Sequence, residues 1–186
     1  MSEDQRVNTG SSEPDKHGAD GAERWADYLA WLREDLIAAV LALPPAQQRE
    51  LRTPSGWSPL ELLNHVLHME QRWFVWGFLG ESLDDPWGDW NVPEPWTSDD
   101  SDEVRPAARW EVSDDVTAEV VADRLRALGA RTRSILLSHP LDTPGAPGGR
   151  FGDEDQPTLE WICFHVLAEY ARHAGHLDVS TEILGG

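Results

Sequence analysis

The sequence predicts an all-α protein, an antiparallel up-down-up-down four-helix bundle, on three observations. Four segments repeat apolar residues at three- and four-residue steps, Pro- and Gly-rich stretches separate them, and no segment of useful length alternates apolar with polar residues. The first helix opens at residue 22. It carries Trp25, Leu29, Leu32, Leu36 and Val40 in register, and Pro44-Pro45 ends it. The second opens at Ser58-Pro59-Leu60-Glu61, where the serine can cap, the proline fits the first turn and the glutamate completes a capping box; it runs to residue 79, before Gly80. The third is expected over 114–138 behind Ser113 as cap, with Val121, Leu125, Leu128 and Ile135 inward and Arg124, Arg126, Arg131 and Arg133 mostly outside. The fourth begins near Pro157-Thr158 and continues to residue 184.

Between the second and third helices, residues 81–112 mix Pro, Asp and Trp without any period. They form a long insertion holding Trp87, Trp90, Trp96 and Trp110, four of the chain's ten tryptophans. A loop of that length inside a compact domain is usually functional or mobile. Residues 1–21 are rich in Ser, Asp, Glu and Gly and offer little to bury, so ordering them costs backbone entropy without return. They are expected to be a disordered tail, which leaves 22–186 as one domain.

Charge narrows the function classes. With 34 acidic against 15 basic residues among 186, the net charge is −19. That excludes a sequence-independent nucleic-acid binder, whose phosphate contacts need a cationic footprint, and argues equally against anionic lipid. A lone cysteine, Cys163, cannot form an internal disulfide, and no apolar run approaches the roughly 20 residues of a membrane span. The expectation is a cytoplasmic protein acting on a small molecule.

The last helix concentrates the chemistry. With Glu169 at zero on a helical wheel, His165 falls near about −40°, His173 near about +40° and His176 near about −20°, on one face with Ile162 and Val166. Titratable groups on an apolar stripe need hydrogen bonds, ion partners or a metal, because burying them unpaired is costly. His165 and His173 stand about 12 Å apart along the axis, too far for one ion that binds each ligand at about 2 Å. Either His165 with Glu169 or Glu169 with His173 therefore forms a one-turn pair, and a third ligand must come from another helix. His65, on the polar side of the second helix, is the candidate. The bland alternative is a buried Glu-His hydrogen-bond network, in which Glu169 pairs with His165 or Arg172.

Two stretches carry a family likeness: Gly56-Trp57-Ser58-Pro59-Leu60 with His65 and Glu70-Gln71-Arg72-Trp73-Phe74, and Glu169-Tyr170-Ala171-Arg172-His173-Ala174-Gly175-His176-Leu177-Asp178. The chain resembles the DinB superfamily (DinB/YfiT-like), in particular the branch related to the metal-binding domain of mycothiol-dependent maleylpyruvate isomerase. The likeness covers most of residues 22–186 and implies a four-helix bundle holding a divalent metal on His65, Glu169 and His173, with His165 as the alternate. Thr181 stands where that branch often has Arg, and the Trp-rich insertion has no counterpart there.

Two histidines and a carboxylate suit zinc first, with iron or nickel as further choices. The resemblance further implies mycothiol or a related low-molecular-weight thiol as cosubstrate. The expected activity is a metal-dependent, thiol-using transferase or isomerase acting on a small electrophile. His68 and His176 are expected to orient ligands or move protons. Trp87, Trp90 and Trp96 are placed to roof the pocket, to form a contact between the subunits of a homodimer, or simply to pack over the bundle end. Arg105 and Arg109 are candidates to hold a substrate carboxylate. Cys163 lies about 120° from Glu169 on the wheel and reads as a small core residue. Two rival readings are a non-catalytic, metal-containing protein that sequesters a small molecule and a helical interaction module.

Overall fold

The capping box at Ser58 forms as predicted. Ser58 Oγ accepts from Glu61 N at 3.2 Å and Glu61 Oε2 accepts from Ser58 N at 2.6 Å, worth about 1 kcal/mol to the helix it starts. The computed structural model describes residues 12–18, 21–51, 56–93, 95, 107–153 and 155–185. Most of the expected tail, Trp96 and Arg105 lie outside them. Residues 12–18 lie against the first helix, where Tyr28 donates to Glu13 at 3.1 Å.

The helices are α1 (Gly21–Leu41), a single turn α2 (Pro45–Gln48), α3 (Pro59–Gln71), α4 (Ala118–Ser138) and α5 (Leu159–Gly185). Among the described residues there is no strand, only isolated bridges, in keeping with the predicted all-α class. No helix there is long and apolar enough to cross a membrane. α1 packs on α4 and α5, and α3 packs on the same two helices. The core between them holds Leu36 and Ile37 of α1, Leu63 and Val66 of α3, Val121 and Leu125 of α4, and Ile162 and Val166 of α5, all buried. Each such side chain contributes about 1.5–3 kcal/mol. Cys163 is buried in the same core, as expected, and its thiol is pushed up to about 12 by burial and then by Glu160.

Three local expectations are corrected. The turn α2 carries no periodic signal and adds to the four expected helices. α4 starts at Ala118 rather than near 114, because Arg49 Nη2 takes the carbonyls of Ser113 (3.0 Å), Asp114 (3.3 Å) and Val116 (2.5 Å) out of any helix. Ser113 spends its hydroxyl on Asp115, and Thr117 supplies the cap instead. Third, the second predicted helix is not α-helical throughout. After Gln71 it widens into a π-helical segment, Arg72–Phe78, in which Leu79 N donates to Phe74 O five residues back. Such segments leave carbonyls displaced from the ordinary ladder and favour functional sites.

The chain before α5 uses those carbonyls. Ala146 N donates to Phe78 O at 2.7 Å and Arg150 N to Trp76 O at 3.4 Å, so residues 145–150 lie across the π segment. Only glycine permits this crossing, since a Cβ at Gly149 would stand 2.2 Å from Trp76 O.

One polar cluster sits inside the apolar core. Glu70 of α3, wholly buried, accepts from Arg33 of α1 at 2.8 and 3.2 Å, from Thr132 of α4 at 2.5 Å and from the Tyr170 hydroxyl of α5. Gly129 of α4 leaves room for the guanidinium, which a Cβ there would meet at 2.5 Å. Four helices are thereby tied through a single carboxylate.

Candidate functional site

That tie fixes α3 against α5, and the faces it sets opposite each other carry the predicted residues. His65 of α3 and His173 of α5 are buried, with ring centroids 4.9 Å apart. Glu169 Oε2 lies 3.4 Å from His173 Nε2, within ion-pair range but outside hydrogen-bond geometry. Both ring nitrogens of His173 are buried without a hydrogen-bond partner among the described residues. All three side chains line one cavity of ≈ 400 Å³, together with His165.

Described residues at both ends of the 81–112 segment, Trp90 and Trp110, are part of this site. The segment's two arms are joined by Asn91 N donating to Arg109 O (3.0 Å) and Glu111 N to Asp89 O (2.9 Å), an isolated bridge that pairs Trp90 with Trp110. The Trp110 ring stacks on His65 at 4.1 Å, and Trp90 meets it edge-on at 5.8 Å. Asp89, fully buried, lies 2.6 Å from His65 Nδ1 through Oδ2 and accepts from Arg72 on both oxygens; Arg72 also donates to Pro86 O. Burial opposes the charge on Asp89, yet the hydrogen bond from His65 and the Arg72 guanidinium hold its carboxyl below the usual carboxylate range. An ionised carboxylate can only accept, so the His65 proton sits on Nδ1 and Nε2 keeps a free lone pair. Burial pushes the His65 pKa down despite Asp89, which favours that neutral ring.

On α5, His173 beside it holds the Glu169 carboxyl below its usual range against the opposing effect of burial, and Arg172, donating at 3.0 Å, adds to this. His165 lies 3.9 Å from Glu169 Oε1 and packs between Trp73 (3.9 Å) and Trp161 (5.5 Å, stacked). Burial lowers its pKa.

The remaining predicted residues scatter. Trp90 lines the cavity; Trp87 lies behind it, under the guanidiniums of Arg72 (4.7 Å) and Arg150 (5.4 Å). His68 is half-buried and His176 exposed beside Trp57 (5.7 Å), and neither lines the cavity. Arg109 is exposed and away from it. The arginines on its wall are Arg72, Arg150 and Arg172.

Asp89 and Arg150 were missed by sequence reasoning. A signal existed for the first: Arg72 shares a helix face with His65, and a buried guanidinium demands a carboxylate, but Asp84, Asp85 and Asp89 satisfied that demand equally on paper. No signal pointed to Arg150.

The donor set, two imidazoles and a carboxylate, fits zinc or iron(II), and the partnerless nitrogens of His173 are atoms an ion would satisfy. A carboxylate fixing the ring of His65 is a common support for such a ligand. The side chains are not drawn into a closed cage: among the described residues, no group of three or more His, Cys, Asp or Glu side chains is placed to hold an ion.

Among curated proteins none matches this sequence. Comparison with family profiles matches residues 25–186, from α1 through α5, to the family described as Mycothiol-S-transferase. The chain thus belongs to the mycothiol S-transferase family, a thiol-related transferase family within the DinB/YfiT-like superfamily.

Proposed function

We propose that this protein joins the sulfur of a low-molecular-weight thiol of the mycothiol type to a small electrophile in the cavity between α3, α5 and the 81–112 segment. One observation carries the reading. A cavity in a chain of an S-transferase family is lined by His65, Glu169 and His173, and the His173 nitrogens have no partner among the described residues. His65 Nε2, Glu169 and His173 would hold a divalent ion, zinc first. When bound, that ion supplies charge stabilisation that keeps a thiol in its thiolate form at neutral pH.

The chain's own groups do the rest. Asp89 fixes the His65 ring, and Trp90 and Trp110 exclude water from its faces. His165, on the cavity wall 3.9 Å from Glu169, takes the proton of the S–H bond. The sulfur lone pair then forms the new C–S bond; on an alkylating substrate the leaving group departs with its electron pair, on an unsaturated one the C=C π pair moves to the α-carbon, and in either case the proton held by His165 balances the step. The scaffold belongs to the same proposal: one domain over 22–186, with α1, α3, α4 and α5 running up and down as a four-helix bundle.

The test begins with metal content. Purified protein is loaded with zinc, and bound metal is measured by mass spectrometry for the native chain and for His65→Ala, Glu169→Ala and His173→Ala, with circular dichroism as the folding control. One ion per chain in the native protein and loss in each variant is expected. Full occupancy in His65→Ala removes His65 from the set. Thiol consumption with mycothiol and a panel of alkylating and unsaturated electrophiles then reports transfer; no consumption across the panel overturns the proposal. Tight small-molecule binding unaffected by Glu169→Ala points instead to sequestration.

A further inference from the structure

The three arginines on the cavity wall are not equivalent. Arg72 is held by Asp89 and Pro86 O, and Arg172 by Glu169. Arg150 has no such partner: among the described residues no carboxylate pairs with it, and its Nη1 is buried without a hydrogen bond. It rests against the faces of Trp73 (4.6 Å) and Trp87 (5.4 Å), contacts that offset part of the cost of removing a guanidinium from water but use none of its N–H donors. Burial and the neighbouring Arg72 bring its pKa down to about 10, so it remains charged at neutral pH.

Its position is built rather than incidental. The π-helical turn frees Trp76 O, Gly149 permits the close crossing, and Arg150 N donates to that same carbonyl. The backbone thus delivers one guanidinium to the cavity wall beside His165. A protein of net charge −19 repels anions at its surface, which makes an unspent cation on the wall of a ≈ 400 Å³ cavity a selective feature.

We propose that Arg150 recognises a carboxylate on the electrophilic substrate, so that the enzyme acts on small unsaturated or alkylating acids rather than on their neutral analogues. The proposal rests on the S-transfer reading above and names its substrate class. A planar monoanion matches the guanidinium fork. The orientation follows: with the carboxylate on Arg150, the rest of a small acid extends along the wall toward His165 and Glu169.

The test uses crotonate and crotonamide, which differ in charge and little in shape, titrated into the full chain without thiol and followed by ligand-observed NMR. The native protein is expected to bind the acid about tenfold or more tightly than the amide, the scale of one charge-assisted hydrogen-bonded pair. Arg150→Gln should bring the two within about threefold by weakening the acid alone, and Arg150→Lys should keep part of the preference. Equal binding of acid and amide by the native protein overturns the proposal, and so does a preference that survives Arg150→Gln. The native comparison needs no variant, so equal binding of acid and amide overturns the proposal even where a variant misfolds. Because no thiol is present, failure of S-transfer leaves this readout intact. Turnover of amides as efficient as that of acids sinks the carboxylate assignment while leaving the transferase reading in place.

Discussion

Replacing Glu70 by Gln changes the charge at the centre of the helix packing without changing its shape. Glu70 is wholly buried and Arg33 is 5% exposed, so the variant leaves a guanidinium in the core with no counterion. Breaking a buried pair in this way costs about 3–5 kcal/mol, because the surviving charge keeps its desolvation penalty and loses its compensation. Against a total stability on the order of 5–15 kcal/mol this is a large loss, and at about 2–4 °C per kcal/mol it lowers Tm by about 6–20 °C. Urea denaturation followed by tryptophan fluorescence measures it, with an unchanged m value as evidence of the same folded and unfolded states. In Arg33→Met/Glu70→Gln both charges are gone; Thr132 and Tyr170 donate to different oxygens of Glu70, so the amide keeps one of these bonds through its oxygen and can donate from its NH2 to the other hydroxyl, and the double variant should be more stable than Glu70→Gln alone. A Glu70→Gln loss below about 1 kcal/mol, or a double variant no better than the single, refutes the reasoning.

The other predictions concern the site and its supports. Asp89→Asn removes the ionised acceptor that holds His65 Nδ1–H and leaves Arg72 without its carboxylate; zinc affinity by chelator competition should fall about 10–100-fold, and an unchanged affinity denies His65 a supported ligand role. Gly149→Ala forces a Cβ to 2.2 Å from Trp76 O, so residues 145–150 must leave the π segment. Protease cleavage in that stretch should speed up, and the acid preference assigned to Arg150 should be lost with it. Cys163, buried with a thiol pKa of about 12, presents about one thiolate in ten thousand at pH 8. It should resist iodoacetamide in the native protein and react only on unfolding, and stoichiometric native labelling contradicts its burial.

The helices were legible because each is written locally. Ser58 and Glu61 announce α3, Pro44-Pro45 stops α1, and the apolar period marks the inward faces. The errors fall where a distant group decides. Arg49, far from α4 in sequence, withdraws the carbonyls of Ser113, Asp114 and Val116 and so delays the helix to Thr117. The π segment was hidden for a related reason. A helical wheel assumes one rotation per residue, and Arg72–Phe78 reads as ordinary amphipathic helix until the carbonyls of Trp76 and Phe78 are seen to serve residues from the chain before α5.

The site divides along the same line. His65, Glu169 and His173 were legible because periodicity places them on facing stripes and the family likeness named them. The groups that give those side chains their chemical character came from irregular chain, where periodicity says nothing. Asp89 sets the tautomer of His65, Trp110 covers its face, and Arg150 supplies the cavity cation whose Nη1 no described residue engages. Such groups answer a deficit on the helices. Arg72 carries a buried charge that α3 does not neutralise, and a buried charge without a partner is too costly to persist. A π-helical turn and a glycine crossing bring a half-buried guanidinium, that of Arg150, to the cavity wall, where no described residue offers it a carboxylate, so an acid bound there would supply the counter-charge that the chain itself does not.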